Sequence, residues 1–163
     1  MELALKKVPE IKFVRLSDAS LEEIVSHMSD PRVAEHMPLL KSKWTLEEAR
    51  KFVTTKEKTW QRDGLGHWAI LYDDVYVGWG GFQKEGEEWD FGLVLKPSNF
   101  GLGMQISRKA IEFAKADPRI DFVTFLLPLS RRNLGALSRG GANFVENVEY
   151  DGEIFKKYRL ETK

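Results

Sequence analysis

The stretch from His67 to Leu95 constrains the fold most, because three β-rich runs follow one another across turns too short for anything but antiparallel pairing. His67 to Tyr72 and Val75 to Phe82 flank Asp73-Asp74, a two-residue polar turn of the hairpin kind, and Glu85-Gly86-Glu87 reverses the chain again into Glu88 to Leu95. Pro97 ends the meander, and the period changes. From Gly101 to Ala116, Leu102, Ile106, Ala110, Phe113 and Ala114 recur at helical spacing until Asp117-Pro118, which places this helix on the sheet. Phe122 to Leu127 is an apolar run expected to be a strand buried on both faces. Leu134 to Arg139 reads as a short helix closed by Gly140-Gly141, and Asn143 to Tyr150 with Glu153 to Leu160 form a last hairpin around Asp151-Gly152.

Upstream, Ile11 to Leu16 alternates as a strand. Ser17 to Ser20 supply caps for a helix through Leu21, Ile24, Val25 and Met28, which Asp30-Pro31 is expected to stop. Thr45-Leu-Glu-Glu48 is a capping box opening a helix that runs to about Asp63-Gly64. The fold class is therefore mixed α/β, in the order strand, two helices, three strands, helix, strand, helix, hairpin.

Composition mainly removes possibilities. Twenty-five basic residues balance 25 acidic ones, which argues against a nucleic-acid binder. There are 0 cysteines, so disulfides, thiolate metal sites and a cysteine acyl-enzyme are excluded. His27, His36 and His67 are too scattered for a zinc site, and no metal is expected. No leader, membrane span, repeat or linker is read in the sequence, so residues 1–163 are expected to form one cytoplasmic domain.

The segment that carries chemistry is Leu93-Val-Leu-Lys-Pro-Ser-Asn-Phe-Gly101-Leu-Gly103-Met-Gln105, a glycine pair between a strand end and a helix start. Amides at such a helix N-terminus carry partial positive charge, and glycines let a phosphate or pyrophosphate approach closely. The competing reading is a loop that merely lets the helix pack. Neither a Gly-Lys-Ser/Thr ending nor a third glycine in dinucleotide register follows Gly103, so those two phosphate motifs are set aside.

Taken in order, these segments resemble the GNAT superfamily of N-acetyltransferases over nearly the whole chain, and within it the branch of ribosomal-protein alanine N-acetyltransferases. The matching residues are Val14-Arg15-Leu16, Ser29-Asp30-Pro31, Thr45-Leu-Glu-Glu-Ala49, Trp68-Ala-Ile70 and Val77-Gly-Trp-Gly-Gly81. The family's acetyl-CoA loop, Gln/Arg-x-x-Gly-x-Gly/Ala, falls on Ser98-Asn-Phe-Gly101-Leu-Gly103, with Ser98 at the leading position. The branch's Asn-x-x-Ser-x-x-x-Leu-x-Lys-x-Gly-Phe falls on residues 130–142, where Leu137 and Gly141 match and Ser130, Asn133, Arg139 and Ala142 replace the family residues.

The resemblance implies a central, mostly antiparallel sheet of about seven strands, splayed at the acetyl-CoA site and flanked by about four helices. It implies direct transfer of an acetyl group from acetyl-CoA to a primary amine in a ternary complex, without metal. Pantetheine would pair near Val94 and Leu95, and the pyrophosphate would sit over the amides of Phe100, Gly101, Leu102, Gly103, Met104 and Gln105. Asn133 and Arg139 would add cofactor contacts. Trp79 and Trp44 would wall the acceptor site. Many relatives place a tyrosine where Leu137 stands, as the acid for the leaving thiolate.

Such a reaction needs a base. Alternation in Glu88 to Leu95 puts Trp89, Phe91, Leu93 and Leu95 on one face and Glu88, Asp90, Gly92 and Val94 on the other. Asp90 lies deepest and is the first choice, at the position where the family often has glutamate. Glu88, on the same face, is the second. A solvated or salt-bridged acid is the competing reading of Asp90. His36 and His67 read as structural or surface histidines. The acceptor stays open among a protein N-terminus, a polyamine and a small amine, and the chain is expected to act as a monomer or homodimer. A non-catalytic acyl-CoA-binding module of the same fold is the alternative function.

Overall fold

The computed structural model describes residues 8–35, 37, 43–131 and 135–163. Seven strands form one sheet: β1 (Ile11–Arg15), β2 (His67–Tyr72), β3 (Val75–Glu85), β4 (Glu88–Leu95), β5 (Phe122–Pro128), β6 (Asn143–Tyr150) and β7 (Glu153–Glu161). Their spatial order is β1-β2-β3-β4-β5-β7-β6. All neighbours are antiparallel except β4 and β5, which run parallel. The turns obey local chemistry: Asp73 and Asp74 both take positive φ, 51° and 65°, the pair a type I′ hairpin requires.

The helices are α1 (Leu21–Met28), α2 (Pro31–Ala34), α3 (Leu46–Asp63), α4 (Gly103–Ala116) and α5 (Gly135–Arg139). That is five among the described residues rather than about four. Asp30-Pro31 does not simply stop α1; Pro31 occupies the first turn of α2, and the Asp30 side chain caps it by accepting from Arg32 N–H at 2.9 Å. Thr45 caps α3 by accepting from Glu48 N–H at 3.2 Å, and Gly64 ends that helix at φ 74°. The α4 helix starts two residues later than its periodicity suggests, since residues Pro97–Leu102 form a 3-10 turn.

The sheet separates two apolar layers. On one face Trp68, Phe82, Trp89, Phe91, Val123 and Phe125 pack with Ala110 and Ala114 of α4. On the other, Leu16, Ile24, Met28, Ala49, Ala69 and Trp79 join the sheet to α1 and α3. The alternation expected in β4 holds: Trp89, Phe91 and Leu93 belong to the α4 layer, whereas Val94 packs with the α1/α3 layer. Phe122 to Leu127 is less enclosed than expected, for Leu126 and Leu127 are half-buried. The reason lies in β4–β5 pairing, which consists of Trp89 with Val123 and Asp90 with Thr124. Beyond those pairs both strands continue unpaired to each other, and the sheet opens.

Candidate active site

Asp90 stands at the last pair before the opening. Its carboxylate is half-buried and accepts a hydrogen bond from Thr124 Oγ1 at 3.1 Å. Burial pushes its pKa up to about 7, against the Thr124 hydrogen bond and the Lys157 charge, with Glu85 and Glu88 adding to the rise. A carboxyl at that value is protonated and ionised in comparable amounts at neutral pH, which is what proton transfer needs. Glu88 lies on the same face but is occupied: Lys157 Nζ donates to its Oε1 at 2.7 Å. The structure thus distinguishes the two acids, and the salt-bridged one is Glu88.

Past Asp90, the edge of β4 that faces β5 carries Gly92 to Leu95 with no strand beside it, while the other edge is held by β3 through Gly81–Gly92, Gly80–Leu93, Trp79–Val94 and Gly78–Leu95. Val94 and Leu95, the expected pantetheine contacts, lie in this open stretch. The chain then enters the 3-10 turn and α4. No side chain caps α4; at its start the Gly103 N–H donates to the Phe100 carbonyl of the preceding 3-10 turn. Phe100 and Met104 are exposed there, at 47% and 59%.

The glycines differ in what demands them. A Cβ on Gly80 would sit 2.4 Å from the Gly92 carbonyl oxygen, so close strand approach forces glycine at that position. A Cβ on Gly101 meets nothing within 4 Å, and one on Gly103 meets only Leu95 Cδ1 at 3.8 Å. Neither has a positive φ. The fold itself does not require glycine in the loop, and space over the α4 N-terminus is what the pair preserves.

Trp79 and Trp44 belong to an aromatic stack on the α1/α3 face. Phe52 lies between them, with ring centroids 5.0 Å from Trp44 and 4.9 Å from Trp79, and the Trp79 indole N–H points at Met28 Sδ, 3.2 Å away. Trp79 is buried at 7% exposure and Trp44 is half-buried, so both serve packing. Arg139 is exposed on α5, and Asn133 falls outside the described residues. Leu137 packs against the α4-side core. Tyr158 is buried in that same core and Tyr150 is exposed at the tip of the last hairpin. Reading the sequence missed Thr124 and Lys157. Thr124 had a signal, being the one hydroxyl in the apolar run Phe122 to Leu127.

The acetyltransferase (GNAT) domain model matches residues 10–136. The chain belongs to the GNAT acetyltransferase family. Among curated proteins the sequence finds no significant match. Solved structures of the family superpose along almost the full length. One is a Salmonella typhimurium acetyl transferase that modifies the N-terminal serine of ribosomal protein L7/L12, with TM-score 0.73, 17% identity and 96% of each chain covered. Another is a RimL ribosomal L7/L12 alpha-N-protein acetyltransferase in complex with coenzyme A, with TM-score 0.74 at 15% identity, covering 96% of this chain and 95% of that one. A third is the Vibrio cholerae spermidine N-acetyltransferase in complex with CoA and spermine, with TM-score 0.70 at 8% identity, covering 94% and 95%. At these identities the likeness establishes the GNAT fold.

Proposed function

We propose that this GNAT chain transfers the acetyl group of acetyl-CoA directly to a primary amine within a ternary complex, with Asp90 removing the amine's proton. The observation that carries the reading is the placement of Asp90: a carboxyl raised to about 7 at the last register pair before β4 and β5 part. From Asp90 to Leu95 the strand rises on the order of 16 Å, a length comparable to an extended pantetheine arm. An arm lying along that open edge would pair with backbone groups near Val94 and Leu95. Its pyrophosphate would then meet the amides around Phe100 to Gln105, where Gly101 and Gly103 leave room.

The chain's own residues divide the work accordingly. Asp90, or a water it holds, accepts the proton of an amine that must be neutral to attack. Thr124 orients the carboxylate, and Glu88 with Lys157 fixes the next turn of the same face. With Leu137 in the tyrosine register, that position offers no hydroxyl to the departing thiolate, whose conjugate thiol has an ordinary pKa of about 8.5.

The test is Asp90→Asn assayed by release of free CoA over an amine panel. Turnover should fall by roughly a hundredfold while acetyl-CoA affinity is retained. Unchanged turnover would remove Asp90 from the role. Tight acetyl-CoA binding by the unaltered protein, with no thiol released on any amine, would mark it as a binding module.

A further inference from the structure

One ammonium group on the Asp90 face of the sheet has no carboxylate within ion-pair distance among the described residues. Lys56 projects from the middle of α3 towards the sheet and is half-buried. Its Nζ donates to Gln83 Oε1 at 2.9 Å and lies 5.2 Å from the Trp79 ring centroid and 5.5 Å from that of Phe52. Among the described residues no ion pair involves it, so two of its three N–H donors have no protein acceptor. Glu85 acts on it electrostatically but is exposed and tied to the far end of the same amide, where Gln83 Nε2 donates to Glu85 Oε1 at 3.0 Å. Burial draws the Lys56 pKa down to about 8, the Glu85 charge offsetting only part of the loss of water.

The titratable ring beside it brings no anion. His67 is 7% exposed, its Nδ1 has no hydrogen-bond partner, and its ring lies 5.3 Å from Trp79. Burial, with the Lys56 charge, holds its pKa well below the usual value, so it stands neutral. Its Nε2 edge faces Gly92, 3.8 Å from where a Cβ would be. Gln83, which presents Lys56, pairs with Asp90 in the β3–β4 register, a separation of about 5 Å between Cβ atoms. Lys56, His67 and Asp90 therefore border one patch of sheet around Gly92, beside the opening.

We infer that Lys56 is the anion-binding residue of the acceptor subsite, and that the acceptor is a primary amine carrying a carboxylate within a few bonds of its nitrogen. The inference rests on the transferase reading with Asp90 as base. An amine at Asp90 would direct its carboxylate to the two free donors of Lys56, whereas a polyamine would bring a second ammonium against the one already there. A free amino acid and a peptide beginning with an acidic residue share this chemistry, and the assay separates them.

The experiment measures CoA release with glutamate, an aspartyl dipeptide, the amidated form of each and spermidine. The carboxylate forms should exceed their amides by at least tenfold in kcat/KM, and whichever of amino acid and dipeptide is faster identifies the source. Lys56→Met should raise KM for the carboxylate acceptor roughly ten- to a hundredfold, as loss of a charged hydrogen bond does, and by at least tenfold more than for its amide. Lys56→Arg should recover part of the loss. Equal use of amides, preference for spermidine, or an equal penalty on every acceptor would overturn the assignment. Calorimetric titration of the CoA-loaded protein with the same amines reads the subsite without turnover. Lys56-dependent binding without transfer would sink the transferase reading alone; transfer indifferent to Lys56 would sink this one.

Discussion

Asp90 is held in a setting that disfavours its charge, and two pH dependences follow. Its folded pKa, about 7, lies above the ordinary aspartate value of 3.8, so the folded chain holds the proton more tightly than the unfolded one. Between about pH 4 and pH 7 stability should fall as pH rises, because unfolding lets the group ionise freely. Asp90→Asn removes that slope. Urea titrations should find the variant more stable than the parent at pH 8 and little different at pH 4. Activity runs the opposite way: kcat/KM should rise with pH through a midpoint near 7 and, for a carboxylate acceptor, turn down again as Lys56 loses its proton at about 8. The Thr124 hydroxyl favours the ionised form, so Thr124→Val should move that midpoint upward; a profile unmoved by the substitution would detach Thr124 from the base. Alternation gave the face, and depth in the strand together with the family's glutamate position selected Asp90. The sequence did not reveal that Glu88 is spent on Lys157, since that pairing joins β4 to a hairpin about seventy residues later. Lys56 was equally hidden, for a lysine on a helix reads as solvated until its ammonium is seen beside the Phe52 and Trp79 rings.

Element boundaries were the most legible level, because capping chemistry is local. Ser20, Thr45 and Gly64 mark α1 and α3 as their side chains or backbone freedom require. Asp30-Pro31 carried both meanings, stop and start, and only the packing of Val33 into the α1/α3 layer decides for a start. The glycines of β3 and of the loop before α4 look alike in sequence yet answer to different constraints. Gly103→Val should leave the melting temperature nearly unchanged while weakening acetyl-CoA binding at least tenfold, about 1.4 kcal/mol, by calorimetry. Gly80→Ala should do the reverse of sparing the fold, since its Cβ would meet the Gly92 carbonyl at 2.4 Å. Equal cofactor affinity in Gly103→Val would mean that the loop glycines do not face the pyrophosphate.

The whole molecule hides two decisions from its sequence. A closing hairpin reads clearly, but nothing local says that β7 rather than β6 lies against β5, or that β5 meets β4 in parallel. Long-range pairing sets both, and with them the gap that makes a site. Two register pairs, the Thr124–Asp90 and Lys157–Glu88 contacts and the α4-side layer that includes Trp89, Phe91, Phe125 and Tyr158 join β1–β4 to β5–β7. A thioester arm laid in that gap would act as mortar in an unfinished wall. CoA at a hundredfold its dissociation constant should add about 2.7 kcal/mol to unfolding, and amide exchange should slow most at residues 91–95 and 125–127, less in β1 and β2. Uniform slowing would mean the ligand does not lie in the seam. In the proposed reaction the loaded halves would be cemented and, once the thiol departs, free to breathe, so each turnover would alternately stiffen and loosen the protein's own frame.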